Sequence, residues 1–295
     1  MKAGRESGFF LVATLWMLAA LAALASAYSA YSLRTASSAS LPEERLRAEA
    51  VLSAAIELCA FRQISWPKRA RPDTGAFSAV IGENRVEVVY RSENARVDLN
   101  AAPRELLAGL FAGLGASAQA ASFLADRIVA WRTRLNEGDR QEEATIYARA
   151  GLAYRPPSAP FDNALEISLL PGISPDLAQH ALGLVTIFGS GKVDPFVADP
   201  VVLAALPGAS VAVVNSLLAA RVGSRPDAAA IARMAGPAKT FVSTDPNDNL
   251  RAEISATVGA RHVRAEVVLK INDGMLTPYE ILYWRDDFDG WRVLS

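Results

Sequence analysis

From Ser7 to Leu33 the chain carries no charged residue, and Phe9-Phe10-Leu11-Val12-Ala13-Thr14-Leu15-Trp16-Met17-Leu18 opens this apolar run. A stretch of that length spans a bilayer as a helix of about 20 residues. Lys2 and Arg5 precede it, which keeps the N-terminus cytoplasmic and sends the rest of the chain across the membrane. Helical spacing continues over 32–66, where Leu46, Ala50, Ser53/Ala54, Leu58 and Phe61 form one apolar stripe with Glu43, Glu44, Arg45, Arg47, Glu49, Glu57 and Arg62 largely off it. Pro42 lacks a backbone donor and clashes with the preceding turn, so a kink or break is expected there. Trp66-Pro67 ends the helix.

The period then changes to two. Ala76–Ile81 and Arg85–Tyr90 read as strands joined at Gly82-Glu83-Asn84, and Arg96-Val97-Asp98-Leu99-Asn100 starts a third after Ser92-Glu93-Asn94. At Asn100 the pattern becomes helical again and stays so to about 235, broken by Gly and Pro. Leu106, Leu107, Leu110, Phe111 and Leu114 recur at helical spacing, as do Phe123, Leu124, Ile128, Val129 and Trp131. Residues 137–160 are polar and then Pro-rich, the composition of a crossing loop. Strand signals return from Phe241: Ile254–Val258, Val263–Ile271 and Tyr279–Trp284, with turns at Gly259-Ala260 and Asn272-Asp273-Gly274. The expected fold class is α+β: a long N-terminal helix packed on an antiparallel sheet, with a large all-α domain inserted between strands.

Inside the helical block a layout repeats. Leu169-Leu170-Pro171-Gly172-Ile173 and Leu203-Ala204-Ala205-Leu206-Pro207-Gly208-Ala209 each stand between helical segments, and Asn100-Ala101-Ala102-Pro103 begins a looser third copy. Such copies resemble the helix-hairpin-helix (SAM-like) module, whose turn glycine takes a backbone conformation closed to other residues. That module is best known for binding DNA phosphates, so a membrane-tethered, competence-like nucleic-acid binder is the alternative function. Charge argues against it. Between Phe161 and Val222 the only cations are Lys192 and Arg221, against Asp162, Glu166, Asp176, Asp194 and Asp199, and phosphate binding rests on several cations.

The whole chain of 295 residues has 30 Lys+Arg against 31 Asp+Glu, so no general attraction to nucleic acid is expected. Its one cysteine, Cys59, excludes an intramolecular disulfide and reads as a small buried residue. His180 and His262 are far apart and read as surface residues of a helix and a strand turn. No metalloprotease, nucleophile-elbow or phosphate-loop motif occurs, and the chain is expected not to be an enzyme. Asp245-Pro246-Asn247-Asp248-Asn249 is an oxygen-rich loop whose composition suits either calcium or an ordinary turn. Asp286-Asp287-Phe288-Asp289-Gly290 is a second such stretch, and Glu142-Glu143 is a further pair of carboxylates.

Three readings of the N-terminus stand. Ala25-Ser26-Ala27 offers a signal-peptidase site before Tyr28; the run serves equally as a signal anchor; and the basic head ending in Gly8, followed by Phe9 and an apolar helix, resembles a prepilin leader. In type IV pilins and type II secretion pseudopilins a membrane peptidase cuts after that Gly and the new N-terminal Phe is methylated, here between Gly8 and Phe9. Most such subunits have Glu five residues into the mature chain, where this one has Ala13. The type II secretion minor pseudopilin K family lacks that Glu. The chain resembles this family along its full length, through Gly8-Phe9, Ala13, the Val97-Asp98-Leu99-Asn100-Ala101-Ala102-Pro103 entry, the Leu-Pro-Gly copies, Leu184-Val185-Thr186-Ile187, Val193-Asp194-Pro195 and the late strands ending at Trp284-Arg285. It departs at Val193-Asp194-Pro195-Phe196, where the family repeats an Asn-Ala pair.

The resemblance implies a leader at 1–8, a transmembrane helix at 9–33, a pilin-like helix and first strands at 34–99, an inserted helical domain at 100–240 that projects sideways, and closing strands at 241–295. It implies a structural subunit at the pseudopilus tip, anchored in the bacterial inner membrane with its bulk in the periplasm, helping to start assembly and export of folded proteins. The implied partners are minor pseudopilins of the I and J types, the inner-membrane platform of the secretion system, the prepilin peptidase and membrane lipid. Calcium is the one cofactor it implies, with Asp245, Asp248, Asp286, Asp287 and Asp289 as the candidate ligands.

Overall fold

The computed structural model describes residues 6–222, 227–259 and 261–286, with backbone alone for 6–11 and 30–42. Helix α1 (Glu6–Ile64) runs from the apolar N-terminus to the edge of the sheet. It passes Pro42 without the expected break. A proline deletes one backbone hydrogen bond, and the turns on both sides are held by their own ladders. Residues Val12–Ser29 form a stretch long and apolar enough to cross a membrane, with none of it buried in the fold.

Five strands form one antiparallel sheet: β1 (Thr74–Ile81), β2 (Asn84–Ser92), β5 (Asn249–Val258), β6 (Arg261–Ile271) and β7 (Tyr279–Asp286), in the order β1-β2-β5-β6-β7. Alternation along each strand separates two faces. Val86, Val88, Ala252, Ile254, Val267 and Leu269 point to α1 and bury Ala48, Leu52, Ala55, Ile56 and Cys59 beneath them. Cys59 is thus a packed small residue, and burial pushes its thiol up to about 12. Arg261 reaches Glu44 at 3.2 Å at one end of the sheet. At the other, beside the C-terminal end of α1, Lys68 and Arg71 bind Asp248 at 2.5 and 3.3 Å.

Strands β2 and β5 are neighbours, paired from Val86↔Ala256 to Ser92↔Leu250, yet residues 93–248 lie between them in the chain. That segment holds α2 (Arg104–Gly113), α3 (Ala118–Arg132), α4 (Glu137–Arg149), α5 (Pro175–Leu182), α6 (Pro200–Ala204), α7 (Val211–Ala219) and α8 (Ala228–Ala235) around a core of its own. It is not purely helical. Strand β3 (Val97–Asp98) pairs in parallel with β4 (Val185–Thr186), apart from the main sheet. The third meander strand expected over 96–100 is therefore this two-residue strand. Its edge is claimed by Leu184 and Thr186, whose carbonyls accept from Val97 N and Leu99 N at 2.9 and 2.8 Å.

The expected crossing loop over 137–160 begins instead as α4. Asn136 caps it, accepting from Asp139 N at 2.9 Å, with Glu137 and Asp139 in the first turn, where carboxylates complement the helix dipole. Only Glu143 and Tyr147 of this helix are buried. Arg127 holds Glu143 at 2.8 Å, while burial pushes that carboxyl up. One polar stripe with two inward residues gives almost no periodic signal, so composition alone reads as loop.

Candidate assembly interface

Two apolar stripes run along the docked half of α1. The covered one is Ala48, Leu52, Ala55, Ile56 and Cys59. The stripe that spacing singles out (Leu46, Ala50, Ser53, Ala54, Leu58, Phe61) faces largely away from the sheet: Leu46 is 65% exposed and Phe61 66%. Arg45–Glu49 and Arg47–Glu43 ion pairs, one turn apart at 3.0 and 3.3 Å, flank its start. Small Ala50, Ser53 and Ala54 stand on this face between Leu46 and Phe61, with the exposed Glu57 among them, and another helix packs on such a face at about 8–10 Å between axes. The bare membrane-length stretch belongs to the same helix, with Trp16 73% and Leu18 65% exposed. Ala13 lies on that stretch as an exposed small residue. Gly8 and Phe9 lie in the first turns of α1, and their side chains are outside the described residues.

The helical block is riveted to the sheet by buried charge. Glu93, in the turn after β2, is 0% exposed and accepts from Arg251 Nε and Nη2 at 2.8 and 3.0 Å, from Arg96 at 3.3 Å and from the Thr186 hydroxyl. Arg251 also binds Glu266 across the β5–β6 ladder, and Arg285 binds Glu266 from β7. Burial opposes the charge on Glu266, but Arg251 and Arg285 outweigh it and hold the carboxyl below its usual range. Asn249 donates to Phe188 O at 2.7 Å and Asn94 O accepts from Asp194 N at 2.8 Å, two further ties across the junction.

The Val97–Pro103 entry is a hydrogen-bonding hub. Asp98 accepts from Asn100 N and Ala101 N at 2.6 and 3.0 Å; Asn100 exchanges two bonds with the Phe161 backbone; Arg132 donates to Leu99 O and Ala102 O at 2.7 Å each. At the Leu-Pro-Gly copies, Gly172 and Gly208 have φ of 84° and 75°, the left-handed region. Each turn leads to a serine cap: Ser174 accepts from Leu177 N and Ser210 from Val213 N. The segments before the turns are short, a 3-10 turn at Ala164–Leu169 and the five-residue α6. Arg221 spends its guanidinium on Pro195 O and Ala198 O, so it is not held out toward a phosphate.

Among the described candidate calcium ligands, Asp286 stands apart from Asp248. Both Asp248 oxygens are taken by Lys68 and Arg71, and Asp245 accepts from Ser243 Oγ at 2.9 Å. Asp286 accepts from Trp284 Nε1 at 2.8 Å and pairs with Ala265, whereas Asp248 lies beside Ile271. Those two positions on β6 are about 20 Å apart at the strand rise. Asp287 and Asp289 lie outside the described residues. Glu143 is engaged with Arg127. Among the described residues no three His, Cys, Asp or Glu side chains converge as a metal site. His180 and His262 are exposed, His262 beside Thr257 Oγ1 at 3.0 Å.

Comparison with known proteins bears on the same region. Residues 85–190, from β2 through β4, match the family model of type II secretion system protein K. Among solved structures, a chain of the GspK–GspI–GspJ complex of the enterotoxigenic Escherichia coli type II secretion system has a similar fold. Its TM-score is 0.60 at 16% identity, over 86% of this chain and 99% of that one. The comparison with curated protein sequences found no match.

Proposed function

We propose that the chain is a structural, non-catalytic minor pseudopilin of the protein K type at the tip of the pseudopilus, a reading supported by the match of residues 85–190 to the family model of type II secretion system protein K. In this reading residues 9–33 hold it in the bacterial inner membrane, the N-terminus stays cytoplasmic and the bulk lies in the periplasm. The prepilin peptidase, the inner-membrane platform and membrane lipid are its other partners, and its role is to help start assembly and export of folded proteins. The observation that carries the reading is α1: one helix whose bare membrane-length stretch is followed by an exposed apolar stripe, offering packing surface both in and above the bilayer.

Two features support the tip. Ala13 brings no carboxylate into the bilayer, so the chain needs no neighbour's amine to neutralise one there. The block joins the sheet at the end beside Lys68 and Arg71, which is the end farthest from the membrane-length stretch. A subunit stacked above would meet the block first. The similarity to a chain of the GspK–GspI–GspJ complex supports I- and J-type pseudopilins as partners for the α1 stripe.

Mass spectrometry of the protein extracted from membranes containing a prepilin peptidase tests the anchoring. A mature chain starting at Phe9, heavier by one methyl, is the expected result. A chain starting at Tyr28 would remove the anchor and the assembly model with it.

Phe61→Glu tests the stripe. Its effect on the melting temperature is small, since exposed substitutions stay within about 0.5 kcal/mol. Co-purification with co-expressed I- and J-type subunits falls by at least about tenfold, because a carboxylate is placed in a helix–helix contact. Undiminished co-purification would show that the stripe is not the contact.

A further inference from the structure

The face of the sheet opposite α1 carries an unfavourable arrangement that no ion pair among the described residues closes. Glu253 of β5 stands directly opposite Glu266 of β6. Like charges in such cross-strand pairs are destabilising. Glu266 is neutralised by Arg251 and Arg285. Glu253 is exposed and makes no hydrogen bond or ion pair among the described residues.

Two grooves meet at this residue. One, of about 410 Å³, runs along the seam between block and sheet; Leu165, Leu182 and Phe188 of the block face Tyr283 and Arg251 across it. The other, of about 720 Å³, continues over the sheet past Val89 and Arg264. Glu253, Glu266 and Arg285 line both.

Charge along this path is polarised. In the seam the guanidiniums of Arg96, Arg251 and Arg285 are each already bound to a carboxylate. Among the described residues, the seam carboxylates without a hydrogen bond or ion pair are Glu253 and Asp162, the latter on the block wall. Among the described residues Arg264 is the cation of the second groove that pairs with no carboxylate; it stands opposite Ser255, one same-face position along β6 from Glu266. Half-buried apolar side chains beside unpaired carboxylates suit a long cationic side chain, whose methylenes cover the wall while its head meets the acid.

We propose that this seam is a docking groove for a partner polypeptide that presents a lysine or arginine to Glu253 and Asp162, next to an apolar side chain seated against Leu165 and Phe188. The groove is on the far side of the sheet from α1, so its occupant leaves the Leu46–Phe61 stripe free. The proposal therefore stands independently of how α1 is used. In the complex the partner's cation relieves the Glu253–Glu266 repulsion, which ties affinity to that one position.

The test uses the full chain in nanodiscs and two photoreactive tripeptides, acetyl-Leu-Arg-photoleucine amide and its Leu-Glu-photoleucine counterpart. Cross-linked sites are mapped by mass spectrometry. The arginine probe labels the segments 162–188 and 279–286, and the glutamate probe does not. Glu253→Lys lowers that labelling by about fivefold or more, the factor set by about 1 kcal/mol for an ion pair. Glu253→Gln, which keeps the volume and removes the charge, lowers it in the same direction and serves where the lysine variant folds poorly. Equal labelling by both probes, or labelling unchanged in Glu253→Gln, would overturn the proposal.

Discussion

Glu93→Ala is expected to lower the melting temperature of the protein by about 6–20 °C. The carboxylate it removes is fully buried and holds two guanidiniums, Arg251 through two bonds and Arg96 through one, together with the Thr186 hydroxyl. Arg251 and Arg96 are themselves mostly enclosed, with side chains 12% and 18% exposed. Deleting one partner of a buried pair strands the other in low dielectric at about 3–5 kcal/mol. For a chain of this size each kcal/mol corresponds to about 2–4 °C. Glu93→Gln is the informative companion. It keeps the volume and one acceptor but not the charge, so its loss should fall between wild type and alanine. Limited proteolysis locates the damage: cleavage should rise at the junction, in 92–98 and 184–190, before it rises in the sheet. A melting temperature unchanged in Glu93→Ala would mean that Glu266 alone neutralises Arg251.

Gly109→Ala is expected to destabilise by about 1–3 kcal/mol or more, although alanine is the better helix former by about 1 kcal/mol. Gly109 is where α2 touches the end of α6. A Cβ there would lie 2.0 Å from the Ala205 carbonyl oxygen and 2.9 Å from its carbon. Both are backbone atoms, just ahead of the Pro207-Gly208 turn, so the two helices must part for the methyl to fit. Gly138→Ala provides the opposite sign. That glycine is exposed in α4, and its added Cβ would meet nothing closer than Asn136 Oδ1 at 3.4 Å. It should gain about 0.5–1 kcal/mol from helix propensity. Urea unfolding of the two variants under one set of conditions separates the effects. Equal shifts would show that the contact between α2 and α6 is not maintained in solution.

Sequence pattern made the strands of the sheet legible because each alternates between the α1 side and the outer side; Val86, Val88, Ala252 and Ile254 are all buried where alternation puts them. It made α2 and α3 legible for the same reason, their inward leucines recurring every three or four residues. It misread α4, whose buried residues are a carboxylate and a tyrosine rather than aliphatics. It also misassigned residues 96–100, since nothing local distinguishes a strand of the main sheet from one that pairs in parallel with a segment almost ninety positions later.

The α1 stripe is a subtler case. Spacing finds Leu46, Ala50, Leu58 and Phe61, but α1 has a second stripe of alanines, Leu52 and Cys59, and only the sheet decides which is covered. Of the candidate site, the membrane-length run and the hairpin glycines were readable from residue type alone. The Glu93–Arg251–Glu266 rivet and the unpaired Glu253 were not, because charge pairing depends on register between strands that are remote in sequence.

The neighbouring strands β2 and β5 also dictate an order of events during folding. β1 with β2, and β5 with β6 and β7, are hairpins and close over a few residues. The ladder between β2 and β5 must instead close a loop running from 93 to 248. Loop closure costs about 0.6 kcal/mol for each doubling of length. A block that has already folded, with Val97 paired to Val185 and Val193 bridged to Val242, hands its two ends over as though the connection were short. The central ladder is therefore expected to zip last, after the block has condensed, and α1 finds its complete seat only then.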